Sequence, residues 1–227
     1  MDEVLTRLSN AIDPVHSSVK TETKQDRIAA EELRLTPAQA TTLMRKPGTK
    51  TLHGLRDTAL IACGLATSLR EAELAALAVA DLRQCGSDGQ TLGVYVREGK
   101  GAKSRFVPYG GNEQVLVIVD RWLAAGITVG RVFRSFEHHS QTATASITPR
   151  GIQDVLKAYP VMVNGTLHTV KPHDLRRTYA KLLYEGGMDI VAIQQNLGHN
   201  NLQTTLRYIG DMGLEKRKPR PVLSFDL

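Results

Sequence analysis

The sequence lacks the residue patterns of several common kinds of metal site. It has only two cysteines, Cys63 and Cys85, and they are too far apart to form a Cys-x-x-Cys pair. Cys63 lies in the apolar run ALIACGLA, where it is predicted to be a small buried residue, as in proteins of reducing compartments. His138 and His139 are adjacent, but neither has a carboxylate or histidine partner at ligand spacing. We therefore expect no metal.

Two motifs of phosphate and ester chemistry are also missing. No glycine-rich loop ends in Gly-Lys-Ser/Thr, which excludes the common nucleotide-binding loop. No Gly-x-Ser-x-Gly pentapeptide occurs, which excludes the elbow of the serine hydrolases. Whatever reaction the protein supports, we expect it to need no cofactor.

Long apolar runs are absent as well. No run approaches the roughly 20 residues that a membrane-spanning helix needs. The N-terminus is polar and acidic and does not have the pattern of a signal peptide. Lys and Arg number 29 against 23 Asp and Glu, an excess that permits a polyanionic partner without establishing one. These features predict a soluble cytoplasmic protein.

Hydrophobic periodicity predicts a fold that is mostly α with one small antiparallel β-sheet, an α+β domain. Thr36, Pro37 and Gln39 have the pattern of a capping box at the start of the compact region. A β-hairpin is predicted over residues 91–109, since the strand-like runs TLGVYVR and SRFVPY flank the glycine-containing turn EGKGAK. The other predicted helices are Leu52–Ala66, REAELAAL, NEQVLVIVDRWLAAG, TPRGIQDVLKAY, PHDLRRTYAKLLYEGG, DIVAIQQNLG and LQTTLRYI.

The stretch PHDLRRTYAKLLYEGG, residues 172–187, gathers cationic side chains at the start of one predicted helix. His173 and Arg176 share a face of this helix, and Arg177 is adjacent to them. Like charges this close repel one another unless an anion lies among them. An anionic ligand is one interpretation, and a capping or packing role for His173 and Arg176 is the other.

Several further residues also have two interpretations. Arg70 precedes Glu73 by three positions, which is typical of a surface ion pair. Lys100 falls in the predicted hairpin turn, where a lysine is usually solvated. His199 follows a helix end, where a histidine can interact with the helix dipole, and Tyr208 lies in the last helix, where a tyrosine is usually core. Taken singly, none of them indicates a function.

In chain order, however, these residues form a pattern: Arg, Lys in a β-hairpin, His-x-x-Arg, Leu-Gly-His, and Tyr nine residues later. The segments SLREAELAAL, REGKGAKSRFVPY, HDLRRTYA and NLGHNNLQTTLRY together resemble the tyrosine recombinases of the phage integrase family. The resemblance covers about residues 35–209. It departs from the family pattern at Ser68, where a glycine often occurs, and at Gly210, where many members have a histidine. Neither departure removes a reacting group.

The resemblance implies the catalytic domain of a site-specific recombinase or integrase, which breaks and rejoins DNA strands through a 3′-phosphotyrosyl intermediate without ATP or metal. The implied catalytic residues are Arg70, Lys100, His173, Arg176, His199 and Tyr208. Arg70 and Arg176 come from distant segments and would both bind the non-bridging oxygens of one phosphate. Each planar guanidinium can donate two parallel hydrogen bonds to such oxygens. Glu73 is expected to orient the active-site groups without reacting.

The other roles follow from the same resemblance. Tyr208 is the implied nucleophile, with His173 as proton acceptor and His199 as a hydrogen-bond donor to the phosphate. Lys100, on the hairpin turn, is the implied general acid that protonates the leaving 5′-oxygen. Contacts with DNA phosphates position a protein without reading sequence. The candidates for such contacts are Arg97, Lys103, Arg105, Arg150 and Arg177.

The resemblance also predicts partners and domain organisation. The partner is double-stranded DNA, with a homo-oligomer on DNA, expected as a tetrameric synapse, and a monomer when free. Residues 1–32 are interpreted as the last helix and linker of a missing N-terminal DNA-binding domain, residues 33–209 as the catalytic domain, and residues 210–227 as a C-terminal tail. Docking in trans, folding back as an edge strand or helix, and a frayed terminus are the open alternatives for this tail. A cytoplasmic, nucleoid-associated protein of prokaryotic, phage or mobile-element origin is expected.

Two other functions remain open at this point. A type IB topoisomerase uses similar chemistry and a similar set of groups. A DNA-binding regulator could keep the fold without the activity, although the presence of all six implied catalytic residues argues against it.

Overall fold

The computed structural model describes residues 32–97, 104–137 and 142–210. Some predictions concern residues outside these ranges: the helix within residues 1–20, Lys100 and Lys103, the His138–His139 pair, and the tail beyond Gly210. Among the described residues, no helix is long and apolar enough to cross a bilayer.

The described elements, in chain order, are α1 (Pro37–Arg45), α2 (Leu52–Thr67), α3 (Glu71–Ala76), a 3₁₀ turn (Val79–Asp81), β1 (Gln84–Cys85), β2 (Leu92–Val96), β3 (Arg105–Pro108), α4 (Val115–Leu123), α5 (Pro149–Lys157), β4 (Val161–Val163), β5 (Thr166–His168), α6 (Pro172–Glu185), α7 (Ile190–Leu197) and α8 (Leu202–Ile209). The predicted fold class is thus confirmed, and every helix predicted within these residues is present. The capping box at the start of α1 is also present, since Thr36 and Gln39 exchange side-chain-to-backbone hydrogen bonds of 2.9 and 3.3 Å.

The central helix of the domain is α2, which packs against α1, α4 and α6 and is buried along most of its length. Gly64 allows α6 to approach, because a Cβ at this position would lie 2.8 Å from Cδ1 of Leu175. At its C-terminus, Ser68 adopts a left-handed conformation with φ 56°. This turn leads the chain into α3, and Arg70 and Glu73 then lie next to α6 and α7.

The sheet differs from the prediction, since the structure has two small antiparallel sheets. The predicted hairpin is confirmed as β2 and β3, in which Val96 lies opposite Arg105, and β1 adds a short third strand. The second sheet, β4 and β5, was missed. Its turn residues, Asn164 (φ 49°) and Gly165 (φ 80°), both have the positive φ of a two-residue hairpin turn. The sequence VMVNGTLH carries this signal, because Asn-Gly between short β-branched or apolar runs favours such a turn.

Three C-terminal helices bring the predicted site residues together. Helices α6, α7 and α8 pack against one another, and β3 packs on α7. Asp189 begins α7 by accepting hydrogen bonds from the backbone N–H groups of Val191 (2.8 Å) and Ala192 (3.4 Å). The tyrosine-bearing helix α8 begins at Asn201 in the same way, with a 2.8 Å bond from the N–H of Gln203.

Candidate active site

Glu73 lies at the centre of a cluster of arginines. Its carboxylate accepts hydrogen bonds from both terminal nitrogens of Arg105, at 2.8 Å each, and from Nη1 of Arg70 at 2.7 Å. Nη1 of Arg176 lies 4.0 Å from Glu73 Oε2. Three guanidinium groups thus surround a single carboxylate, and this part of the site keeps an excess of positive charge.

The electrostatics of Glu73 follow from these contacts. Burial alone would raise the pKa of this carboxyl, but the hydrogen bonds and charge of Arg105, together with those of Arg70, outweigh burial and lower the pKa to about 2. Glu73 is therefore ionised across the physiological range. In the structure this carboxylate binds the guanidinium groups of Arg70 and Arg105, and the expectation that it orients active-site groups without reacting stays a prediction.

Replacing Glu73 by glutamine is expected to lower the free energy of unfolding by about 3 kcal/mol, because the surrounding arginines lose their common counter-charge. A carboxylate whose pKa is depressed on folding stabilises the protein above its unfolded pKa of 4.5 and loses that contribution as pH falls toward about 2. The difference between wild type and variant should therefore shrink between pH 4.5 and 2.

Urea denaturation across this pH range measures the difference directly. Asp81→Asn is the matched control, since it changes a buried carboxylate that pairs with one guanidinium, that of Arg97 at 2.6 Å. The control should lose less stability than Glu73→Gln at neutral pH. A Glu73→Gln deficit that stays constant down to pH 2 would contradict the assigned electrostatics.

The end of α7 anchors the same arginines. Its last carbonyl groups lie at the negative end of the helix dipole and accept hydrogen bonds from guanidinium N–H groups. The pairs are Asn196 O with Arg105 Nε at 3.0 Å, Leu197 O with Arg176 Nη2 at 2.9 Å, and Gly198 O with Arg70 Nη2 at 3.1 Å. One helix end therefore fixes three cations that come from three separate segments of the chain.

The Leu-Gly-His motif has a conformational explanation here. Gly198 adopts φ 62°, and the N–H groups of Gly198 and His199 return to the carbonyls of Gln195 (2.9 Å) and Gln194 (3.1 Å), which is a Schellman ending of α7. A Cβ at Gly198 would lie 3.2 Å from Cδ of Arg105. Glycine thus satisfies both the left-handed backbone and the close approach of the arginine.

Arg176 is almost entirely buried, with 1% of its surface exposed. Its Nη1 donates to the Ser68 carbonyl, which the left-handed conformation of that residue directs toward α6. Only two of the five N–H groups of Arg176 are used in bonds to backbone carbonyls, and among the described residues its Nε has no hydrogen-bond partner. Burial and the Arg70 guanidinium lower the pKa of Arg176 to about 10, so the side chain stays charged at neutral pH.

Tyr208 and two histidines lie beside the arginine cluster. The Tyr208 hydroxyl is 3.1 Å from Nδ1 of His173, and the rings of Tyr208 and His199 meet edge to face with centroids 4.7 Å apart. Nδ1 of His199 is 3.0 Å from Oγ1 of Thr205, one turn before Tyr208 on α8. His173 on α6 therefore meets the Tyr208 hydroxyl, and His199 at the end of α7 meets the Tyr208 ring.

Both histidines are neutral at pH 7. Partial burial and the guanidinium groups of Arg176 and Arg177 lower the pKa of His173 below its ordinary value of 6.5. Burial and the charges of Arg176 and Arg70 lower the pKa of His199 to about 4. A neutral ring has one nitrogen that accepts and one that donates, so His173 can take up a proton where it meets Tyr208.

The other predicted cations occupy different places. Arg177 pairs with Asp174 at 3.0 Å, and its Cζ lies 5.5 Å from the centroid of the Tyr208 ring. Arg105 faces inward to Glu73, so its predicted phosphate contact stays a prediction. Arg97 and Arg150 are exposed, at 62% and 71% of their side chains, and Arg150 pairs only loosely with Asp154 at 3.3 Å. Lys100 and Lys103 lie outside the described residues.

One arginine that contacts the Tyr208 helix is not predicted by any sequence motif. Nε of Arg34 donates to the carbonyl of Tyr208 at 2.7 Å, and its Nη2 donates to the carbonyl of Arg207. The two segments are 174 residues apart in the chain, and the stretch ELRLTP has no motif that indicates this contact.

Comparison with known proteins shows the family and the fold. The sequence profile of the phage integrase family matches residues 33–212 of the chain. The chain belongs to this family. The tyrosine recombinase XerC of Pelobacter propionicus is 32% identical over 173 residues, which are 75% of the chain and 52% of XerC. This phage integrase family member thus spans about half the length of the curated relatives that it matches.

Solved structures share the fold. The crystal structure of XerA recombinase has a TM-score of 0.60 at 22% identity and covers 78% of this chain and 58% of the XerA chain. The XerH site-specific recombinase, in a post-cleavage complex bound to palindromic difH substrate, has a TM-score of 0.58 at 18% identity and covers 78% of this chain and 49% of XerH. The resemblance stated from sequence motifs is confirmed at the level of family and fold.

Proposed function

We propose that this phage integrase family member is the catalytic part of a site-specific DNA recombinase. In the proposed reaction, Tyr208 attacks a DNA phosphate, forms a 3′-phosphotyrosyl bond and releases a free 5′-hydroxyl, without ATP or metal. The observation that carries the proposal is the position of the Tyr208 hydroxyl, 3.1 Å from His173 Nδ1 and beside a cluster of arginines with excess positive charge.

The first step is deprotonation of the nucleophile. A phenol is a poor nucleophile at neutral pH, and a neighbouring base makes attack possible. His173 meets Tyr208 through Nδ1, so the competent tautomer carries its proton on Nε2 and accepts the phenolic proton at Nδ1. The lowered pKa of His173 keeps the ring in this neutral, accepting form at pH 7.

The arginines stabilise the phosphate as negative charge increases on its non-bridging oxygens. Arg70 and Arg176 are already fixed by Glu73 and by the end of α7, so they need little reorganisation when the transition state forms. Nε of Arg176 is buried and has no hydrogen-bond partner among the described residues, so a phosphate oxygen that enters the site when DNA binds is proposed to accept from Arg176. His199 contributes in the same way, because a Thr205 hydroxyl that donates to Nδ1 leaves the ring proton on Nε2.

The leaving 5′-oxygen needs a proton, and Lys100 is the proposed donor. This role rests on the matching position in the segment REGKGAKSRFVPY. In the sequence, Lys100 lies between β2 and β3, which pair as the two strands of an antiparallel hairpin. Arg105, at the start of β3, bonds to Glu73, so the base of this hairpin adjoins the arginine cluster.

The proposed substrate is double-stranded DNA. Among proteins with the same fold, XerH is described as bound to its difH substrate. Strand exchange between two duplexes requires several protomers, so we propose a homo-oligomer on DNA, a tetramer in the complete synapse. We propose a linker role for residues 1–32. Residues 210–227 are proposed to form a tail that docks on a neighbouring protomer.

Covalent capture tests the proposal and needs no defined target sequence. The protein is incubated with randomly nicked bacterial DNA, in which cleavage near a nick releases a short fragment and leaves the protein attached. After denaturation and nuclease digestion, mass spectrometry should find a nucleotide on Tyr208, and sequencing of the attached ends should show one preferred site. Absence of any adduct would contradict the proposal, and plasmid relaxation without site preference would favour a topoisomerase.

Replacing His173 by glutamine is expected to slow adduct formation by about 100- to 1,000-fold, since the phenol loses its proton acceptor. In the wild type, the rate should fall as pH drops below the depressed pKa of His173, and therefore at a pH lower than 6.5. The variant should lack this acid limb. Single-turnover capture on the recovered DNA site, measured from pH 5 to 8, checks both outcomes.

His168→Gln is the control for this experiment, because His168 lies on β5, outside the site. It should keep the wild-type rate and pH profile. An acid limb that persists unchanged in His173→Gln would exclude His173 as the acceptor.

A further inference from the structure

The contact between Arg34 and α8 satisfies groups that a helix end normally leaves open. The last carbonyls of an α-helix have no partner within the helix. Here the N–H of Gly210 closes the last turn on the Leu206 carbonyl at 3.0 Å, while Arg34 bonds to the next two carbonyls, those of Arg207 and Tyr208. The guanidinium therefore caps the turn that contains Tyr208.

Gly210 makes room for this cap. It adopts φ 82°, and a Cβ at this position would lie 3.2 Å from Nε of Arg34. The Gly210 that departs from the common family pattern thus has a local reason in this chain: it allows the guanidinium to approach the helix end.

The residues on each side of Arg34 bind the helix that carries His173 and Arg176. Thr178 and Lys181 of α6 both contact Leu35. The N–H of Leu35 donates to Oγ1 of Thr178 at 3.0 Å, and Nζ of Lys181 lies 3.5 Å from the Leu35 carbonyl. The backbone of Leu33 stabilises the charged form of the Asp174 carboxyl, also on α6, and so acts to lower its pKa. Leu33 and Leu35 are buried, so the segment is fixed on both sides of the arginine.

Residues 33–35, the α6–α8 strap, therefore connect the helix of the base to the helix of the nucleophile. The strap sets how far the last turn of α8 lies from α6, and that separation determines whether Tyr208 meets His173 at 3.1 Å. We propose that Arg34 is a positioning residue for the Tyr208 nucleophile. This inference rests on the proposed function for its catalytic consequence, but its structural part concerns α8 alone.

The mechanism is the capping of a terminal turn. The helix α8 has only eight residues, and Tyr208 is the last but one of them. Helix ends fray when their carbonyls lose their partners, and a reacting group misplaced by about 1 Å can lose about 100-fold in rate. Removing the cap is therefore expected to affect the chemical step more than the binding of DNA.

Hydrogen exchange tests the structural part without DNA. Arg34→Ala should exchange the amides of residues 208–210 at least tenfold faster than wild type, while Arg34→Lys, which keeps a donor and the charge, should restore much of the protection. Arg134→Ala is the matched control, since Arg134 also bonds to two backbone carbonyls, of Val129 (2.6 Å) and Arg131 (3.1 Å). Unchanged exchange at residues 208–210 in Arg34→Ala would overturn the inference.

Covalent capture on the recovered DNA site tests the catalytic part. Arg34→Ala should reduce the capture rate at saturating DNA by about 10- to 100-fold, with a Kd within twofold of wild type. Arg34→Lys should recover most of the rate, and Arg134→Ala should match wild type. A loss that appears in Kd alone, or equally in Arg134→Ala, would overturn the inference. Failure of the wild type to form an adduct would reject the proposed function, and the exchange data would still decide whether Arg34 holds α8.

Discussion

Tyr208→Phe is expected to abolish the covalent protein–DNA adduct while leaving DNA binding within about twofold of wild type. The substitution removes the single oxygen that attacks phosphorus and keeps the ring that packs on His199 and lies under Arg177. The neighbouring hydroxyl of Thr205 does not take its place, because Thr205 is completely buried. Denaturing gel electrophoresis after incubation with nicked DNA measures the adduct, and a binding assay at low salt measures the affinity.

Tyr179→Phe is the control for loss of a tyrosine hydroxyl. Tyr179 is buried on α6, and its oxygen accepts a 3.1 Å hydrogen bond from Nδ2 of Asn196. The control should lose about 1 kcal/mol of stability and still form the adduct. An adduct of normal yield in Tyr208→Phe would show that another residue is the nucleophile.

Arg176→Lys is expected to lower the capture rate by about 100- to 1,000-fold at saturating DNA. The guanidinium bonds to the Ser68 and Leu197 carbonyls at the same time, and its buried Nε has no hydrogen-bond partner within the described part of the chain. A lysine ammonium is a compact charge whose three N–H donors lie at the end of a flexible chain. It therefore cannot reproduce the fixed, planar arrangement of donors in a guanidinium. Because the substitution keeps the positive charge, the loss of capture rate measures the contribution of the geometry of the guanidinium donors.

The same variant should lose stability, by about 1 to 3 kcal/mol, because a buried carbonyl is left without its donor. Arg83→Lys is the matched control, since Arg83 forms an exposed pair with Asp120. This substitution should change the capture rate by no more than about twofold and the free energy of unfolding by no more than about 0.5 kcal/mol. A capture rate of Arg176→Lys equal to wild type would remove Arg176 from the proposed mechanism.

The sequence predicted the helices and the main hairpin because their signals are local. Thr36, Pro37 and Gln39 lie within one turn, and Asp189 begins its helix two residues before its hydrogen-bond donor, the N–H of Val191. The second hairpin had an equally local signal in Asn164 and Gly165, which was overlooked beside the stronger helical periodicity. Local pattern therefore accounts for nearly all of the architecture among the described residues.

Contacts between distant segments were less predictable. Glu73 was expected to orient active-site groups, but nothing in the sequence indicates that Arg105, 32 residues later, donates two bonds to it. Arg105 was predicted to face DNA because a strand arginine beside a basic turn suggests a phosphate contact. The bonds from Arg34 to α8 span 174 residues and have no local pattern at all. Such pairs depend on the packing of α6, α7 and α8, which periodicity does not specify.

Because Asn196, Leu197 and Gly198 each accept a hydrogen bond from one of the arginines, the end of α7 is a common anchor for the three cations. A tilt or shift of this helix would disturb all three bonds at once. The same linkage makes the energetic effects of substitutions at these arginines non-additive, since each one alters the anchor of the others.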